Sequence, residues 1–112
     1  MTVRARRSHE IPSRSPIQLE PGEPVMVGER SIEWPAFVFI TAADGQGWVP
    51  ARHLSADDGA AIVEVAYDTT ELAVTKGEEV TVVDRDDESG WWWCRAANGG
   101  EGWVPVAVLD PS

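Results

Sequence analysis

The chain has 112 residues, 43% of them apolar and 25% charged, with nineteen acidic residues against nine Lys and Arg and a formal net charge of −10. This composition is ordinary for a globular protein and excludes a collagenous or low-complexity chain, while the acidic balance opposes nucleic acid and anionic lipid as partners. A single cysteine, Cys94, excludes an intrachain disulfide and a multi-cysteine metal site, so stability must come from apolar burial and a reducing, cytoplasmic setting is the simpler one.

The chain opens on MTVRARRSHE, which is basic but leads into polar residues and prolines, so it lacks the apolar stretch of a secretory signal. No segment approaches membrane-spanning length, and no membrane association is expected. A first strand is predicted over 3–9. A glycine turn at Gly22 follows, then a strand with alternating valines over 24–30, an aromatic strand over 36–42, and a closing strand after Gly-Gln-Gly-Trp-Val-Pro at 45–50. The polar stretch 56–60 reads as a linker too short to carry two modules far apart.

Beyond that linker the pattern returns. Gly-Glu-Gly-Trp-Val-Pro at 100–105 answers 45–50 at an offset of 55, and the same offset pairs Val25 with Val80, Val27 with Val82, Arg30 with Arg85 and Leu54 with Leu109. Phe37-Val38-Phe39 matches Trp91-Trp92-Trp93 at an offset of 54, which implies one extra residue in the hairpin near Gly99-Gly100. Strands are therefore predicted again over 61–67, 79–84 and 91–97, with Val25, Val27, Val80 and Val82 facing inward. The charge is divided unevenly. Residues 1–55 carry six basic and six acidic side chains, and residues 56–112 carry three and thirteen.

Short, evenly spaced strands without helical periodicity predict an all-β chain of two small β-barrels in tandem, over 1–55 and 61–112, docked through the 56–60 linker. The second half carries a family resemblance. Ile62-Val63-Glu64-Val65-Ala66-Tyr67-Asp68, Glu71-Leu72-Ala73-Val74, Lys76-Gly77-Glu78, Trp91-Trp92 and Gly102-Trp103-Val104-Pro105 stand in the order of the ALYDY, ELSF, diverging-turn, tryptophan-pair and G-x-x-P motifs. This half resembles the Src homology 3 family. The two residues between Asp68 and Glu71 make a short RT loop, which looks like the bacterial variant branch. The first half resembles the same branch through Pro16-Ile17, Pro21-Gly22-Glu23, Glu33-Trp34-Pro35-Ala36-Phe37 and Gly47-Trp48-Val49-Pro50, without an ALYDY segment.

The resemblance implies a groove for an extended or proline-rich peptide, built in the second module from Tyr67, Trp91 or Trp92, and Pro105. Asp68, Glu71, Asp87 and Glu88 would select a basic residue of the ligand. Val108 stands where the family has a groove tyrosine. In the first module His9, Trp34, Pro50 and His53 occupy the matching positions as a second candidate surface. Three successive tryptophans on an alternating strand must turn at least one ring outward, where a ligand or the other module covers it.

The residues therefore predict a non-catalytic protein- or peptide-binding pair of modules with a partner of basic character. The alternative is a structural or regulatory subunit whose aromatic surface is buried between modules or in a complex. A third reading binds nucleic acid through Arg4, Arg6, Arg7 and Arg14, although these arginines could instead pair with the acidic half. No nucleophile–base pair, phosphate loop, cofactor motif or metal-ligand spacing is present. Cys94, on a strand beside tryptophans, is expected to be a buried, inert thiol.

Overall fold

The computed structural model describes residues 1–11 and 15–110. Eleven strands follow in order: β1 (Thr2–Ala5), β2 (Gln18–Leu19), β3 (Pro24–Arg30), β4 (Phe37–Ala42), β5 (Gly45–Pro50), β6 (Gly59–Ile62), β7 (Tyr67–Asp68), β8 (Glu79–Asp86), β9 (Trp91–Arg95), β10 (Glu101–Pro105) and β11 (Leu109–Asp110). Single 3₁₀ turns at Ala51–His53 and Val106–Val108 are the helical segments among the described residues. The expected all-β character is present, and the wider β9–β10 hairpin holds the inserted residue.

The chain falls into two compact units, divided differently from the expected 1–55 and 61–112. One unit is continuous, Ser15–Thr69; the other is split, Met1–Arg14 together with Thr70–Ser112. The expected 56–60 linker lies inside the continuous unit, where Gly59 and Ala60 are already part of β6.

In the continuous unit a four-stranded sheet runs β5-β4-β3-β6, and β2 pairs with β7. Period-2 alternation turns Val25, Val27, Val38, Ile40, Val49 and Ala61 into the core. In the split unit the sheet runs β10-β9-β8-β1-β11, over a core that includes Val3, Ala5, Val80, Trp92, Cys94 and Val104.

The repeat is preserved in register, with its first strands exchanged. Pro24 lies opposite Ile62, Val25 opposite Ala61 and Met26 opposite Ala60 in one unit. Their counterparts Glu79, Val80 and Thr81 lie opposite Arg4, Val3 and Thr2 in the other. Thus the N-terminal strand completes the sheet of residues 79–110, and the strand expected to open the second module completes the sheet of residues 24–50. Both candidate strands present small apolar residues inward, Val3 and Ala5 or Ala61 and Val63, so burial does not discriminate between them. The outward pairs do: Arg4 meets Glu79 at 3.8 Å, whereas Ile62 meets Pro24, and opposite charges or two apolar residues facing across a ladder are the favourable combinations. Further contacts fix the N-terminal segment. Arg4 Nη1 donates to the Gly77 carbonyl at 2.9 Å, and Arg6 and Arg7 donate to the Ala107 carbonyl at 3.0 and 2.9 Å. Arg14 lies outside the described residues.

Candidate functional site

In the split unit β9 and β10 pair with Trp91 opposite Pro105, Trp92 opposite Val104 and Trp93 opposite Trp103. Alternation places Trp91 and Trp93 on the outer face and Trp92 on the inner one. Trp92 is 6% exposed and belongs to the core, which removes it from the expected groove residues. Its Nε1 donates to Asp87 Oδ1 at 2.9 Å, and the Arg85 guanidinium sits 4.7 Å from its ring centroid. Asp87, expected to face a ligand, therefore anchors a core indole through one oxygen.

Trp91 is half-buried. The His9 ring meets it edge-on at 5.5 Å between centroids, and His9 Nε2 lies 2.9 Å from Glu71 Oε1, both side chains largely covered. His9 is brought there by an isolated bridge to Val74, with backbone hydrogen bonds in both directions at 2.9 and 3.1 Å. Glu71 is placed by the passage of residues 70–72 along β10, where Trp103 N–H donates to the Thr70 carbonyl and Leu72 N–H donates to the Trp103 carbonyl. This approach requires glycine at 102, because a Cβ there would lie 2.6 Å from the Glu71 carbonyl carbon and 2.7 Å from the Leu72 nitrogen. Pro105 is buried opposite Trp91. The turn before Trp91 follows Asp86 at the end of β8 and carries the exposed Asp87 and Glu88, and the buried Ser89 Oγ accepts from Trp91 N–H at 3.3 Å.

Tyr67 and Asp68 lie in the continuous unit. The expected sets thereby exchange members, because the groove tyrosine and its histidine counterpart travel with the exchanged strands. Tyr67 is buried on β7 opposite Leu19, with its ring edge-on to His53 at 5.3 Å. Asp68 lies opposite Gln18, whose Nε2 donates to Asp68 Oδ2 at 3.2 Å. Pro50 is fully buried opposite Phe37, and Trp34 N–H donates to Ser31 Oγ at 2.9 Å. The structure thus groups His9, Glu71, Trp91 and Pro105 in the split unit and Tyr67, His53 and Pro50 in the continuous one.

A second pair of outer rings was missed from sequence. Trp93 and Trp103 meet edge-to-face at 5.3 Å, and Phe39 and Trp48 do the same at 5.1 Å at the equivalent place in the repeat. The signal was available in the alternation of Phe37-Val38-Phe39 and Trp91-Trp92-Trp93 against the two Gly-x-Gly-Trp motifs. Glu101 fixes the tryptophan pair, accepting from Trp93 Nε1 and from Arg95 Nε, each at 2.8 Å. The Trp93 hydrogen bond, followed by that from Arg95, holds the Glu101 carboxyl below the ordinary glutamate range.

The site thus brings partly buried aromatic rings and the buried Pro105 beside an acidic turn. Cys94 is fully buried, and burial pushes its thiol up to about 11, which suppresses the nucleophilic thiolate. Among the described residues no group of three or more His, Cys, Asp or Glu side chains is arranged to hold a metal ion. Among them, too, no helix is long and apolar enough to cross a membrane.

Residues 64–111 match the variant SH3 domain family, whose domains are non-catalytic interaction modules. Its first six residues fall in the continuous unit and the remainder in the split one. The chain is 40% identical over 48 residues to the SH3 domain-containing protein Dlish of Drosophila melanogaster, covering 43% of this chain and 13% of that protein. It is 32% identical over 111 residues to mouse SH3 and PX domain-containing protein 2B, covering 85% of this chain and 12% of that protein. The human counterpart is similar at 31% identity over the same share of each chain. The chain thus spans about an eighth of the length of these animal relatives, whereas the short RT loop had pointed to a bacterial branch. The similarity of residues 64–111 to SH3 domains supports a protein-interaction module.

Proposed function

We propose that each unit is one SH3-type barrel, so that the chain is a tandem pair with exchanged first strands, and that the split unit binds an extended segment of a partner protein. The partner lies across Trp91 and the His9–Glu71 pair, and places a basic residue toward Asp86 and Glu88. The observation that carries this reading is the sorting of the tryptophans: Trp92 is buried in the core, while Trp91 stays half-exposed beside an acidic turn. A basic residue suits the local run Asp86, Asp87 and Glu88, in a unit that carries seven Lys and Arg against ten Asp and Glu. An intracellular setting accords with the single buried thiol.

The test is intrinsic tryptophan fluorescence during titration with proline-rich and Arg-containing peptides. Saturable binding that Trp91→Ala weakens at least tenfold and Tyr67→Phe leaves unchanged supports the reading. Binding untouched by Trp91→Ala removes it.

The edge-to-face pairing of Trp93 with Trp103 favours a second reading, a structural subunit whose outer rings are already partnered within the fold. It predicts no saturable response to any peptide. Nucleic-acid binding finds less support, because Arg4, Arg6 and Arg7 each donate to backbone carbonyls of residues 77 and 107.

A further inference from the structure

The acidic turn before Trp91 is tied in two ways. Its local closure runs through Asp86 and Ser89. The Asp86 carbonyl accepts from Gly90 N–H at 3.0 Å and from Ser89 Oγ at 3.2 Å, and Ser89 Oγ in turn accepts from Trp91 N–H at 3.3 Å. The second tie reaches the core. Asp87 Oδ1 accepts from Trp92 Nε1 at 2.9 Å, and the Trp92 ring is packed with Val80, Cys94 and Val104. Asp87 itself is exposed, so a surface carboxylate is joined to a ring that close packing holds still. The repeat supplies a comparison. Val38 lies opposite Val49 as Trp92 lies opposite Val104, and it is fully buried with no side-chain donor. The turn beside it, residues 31–36, is closed otherwise: Trp34 N–H donates to Ser31 Oγ at 2.9 Å and Arg30 Nη1 to the Pro35 carbonyl at 2.6 Å. The anchor to a core indole thus accompanies the successive acids Asp86, Asp87 and Glu88, and is absent from the turn that holds Glu33 alone.

We propose that Asp87 is a positioning residue. By holding the turn on the Trp92 indole it fixes where Asp86 and Glu88 stand beside Trp91, and so sets the preference for a basic ligand residue without touching the ligand. The proposal rests on the reading of Trp91 as the ligand-bearing ring. Trp91 and Trp92 are successive residues of β9, so a turn anchored to one is fixed relative to the other. Charge explains the need for an anchor. Neighbouring carboxylates repel, and an untethered turn relieves the repulsion by spreading them into solvent. A tethered turn keeps them together beforehand, so the ligand cation meets a field already in place and binding spends less on ordering the turn. Two properties of Asp87 can be separated by substitution. Asparagine keeps an acceptor oxygen and loses the charge, whereas alanine loses both. Alanine also leaves a largely buried indole N–H without its acceptor, which favours movement of the ring or of the turn.

The experiment compares a proline-rich peptide carrying one arginine with the same peptide carrying glutamine in its place. Each is titrated by tryptophan fluorescence into the full chain and its Asp87→Ala, Asp87→Asn and Glu88→Gln variants. NMR relaxation of the backbone amides 86–90 and the shift of the Trp92 indole N–H are recorded on the same proteins without peptide. The wild type should prefer the arginine peptide. Asp87→Ala should abolish the preference and weaken that peptide about tenfold, the size of one lost hydrogen bond. Its amides 86–90 should fall from order parameters of about 0.85 toward 0.6, and the Trp92 indole signal should move. Asp87→Asn should restore the rigid turn and bind within about threefold of the wild type, because a single exposed charge is weakly felt. Glu88→Gln should weaken the arginine peptide with the turn and the indole unchanged. Circular dichroism melts verify folding. If Asp87→Ala does not fold, Asp87→Asn decides alone, since loss of the preference there assigns the role to charge and overturns the proposal. Equal losses in Asp87→Asn and Asp87→Ala overturn it too, as does a turn that stays rigid in Asp87→Ala. A wild type that binds neither peptide removes the underlying reading of Trp91; failure of the positioning role alone leaves wild-type binding intact.

Discussion

Val3→Ala addresses directly which sheet the N-terminal strand completes. Val3 is 2% exposed in the core with Trp92 and Val104, and sits on β1 opposite Val80. Removing two methyl groups costs about 0.8 kcal/mol each in burial plus a cavity contribution, or about 2 kcal/mol together. That is about a thirtyfold change in the folding equilibrium and roughly 8–16 °C in melting temperature for a small unit. The assay is urea unfolding followed by indole N–H resonances. Trp91, Trp92, Trp93 and Trp103 report on the split unit, and Trp34 and Trp48 on the continuous one. The loss should appear in the first four. A loss concentrated in Trp34 and Trp48 would mean that the N-terminal strand pairs with β3, and would refute the exchange.

Gly102→Ala should cost roughly 1–3 kcal/mol, because its Cβ would meet backbone atoms at 2.6 and 2.7 Å; Gly47→Ala, whose nearest neighbour is the Thr69 side chain at 3.4 Å, should cost less in the same thermal melts. Trp92→Ala should cost roughly 3–5 kcal/mol and Trp91→Ala distinctly less, since one ring is core and the other half-exposed. Glu101 has its folded-state pKa held below its unfolded value. The Trp93–Glu101 contact is therefore fully present at neutral pH and is lost only as pH falls through that depressed value. The Trp93 indole N–H shift should move with a midpoint below that of an ordinary glutamate, and Glu101→Gln should abolish the movement.

Much of the fold was legible because the repeat is nearly exact where strands meet. The two Gly-x-Gly-Trp-Val-Pro motifs and the paired valines marked β3, β5, β8 and β10. The pairing of the first strands was not legible, because 2–5 and 59–62 share one inward pattern and a period of two cannot name a partner. Arg4 facing Glu79 and Ile62 facing Pro24 help to separate the two possibilities, and those are cross-strand relations that a linear pattern does not contain. The same ambiguity grouped Tyr67 and Asp68 with Trp91, and His9 with Trp34, Pro50 and His53, whereas the structure places each in the other unit. Trp91 and Trp92 were separable only by register, once Val104 and Cys94 fixed the inner face of β9 and β10.

The site grouping rests on the exchanged strands, and one pair of double-cysteine variants interrogates them. Thr2 and Thr81 lie directly opposite each other on β1 and β8, and Ala60 holds the place of Thr2 in the other unit. Opposite residues on paired strands have Cβ atoms about 4.5–5.5 Å apart, near enough for a disulfide with small adjustment. The native Cys94 is buried and stays out of the reaction. Under mild oxidation Thr2→Cys/Thr81→Cys should form an intrachain disulfide, and Ala60→Cys/Thr81→Cys should remain reduced. A disulfide in the second variant and none in the first would contradict the account and return Tyr67 to the side of Trp91.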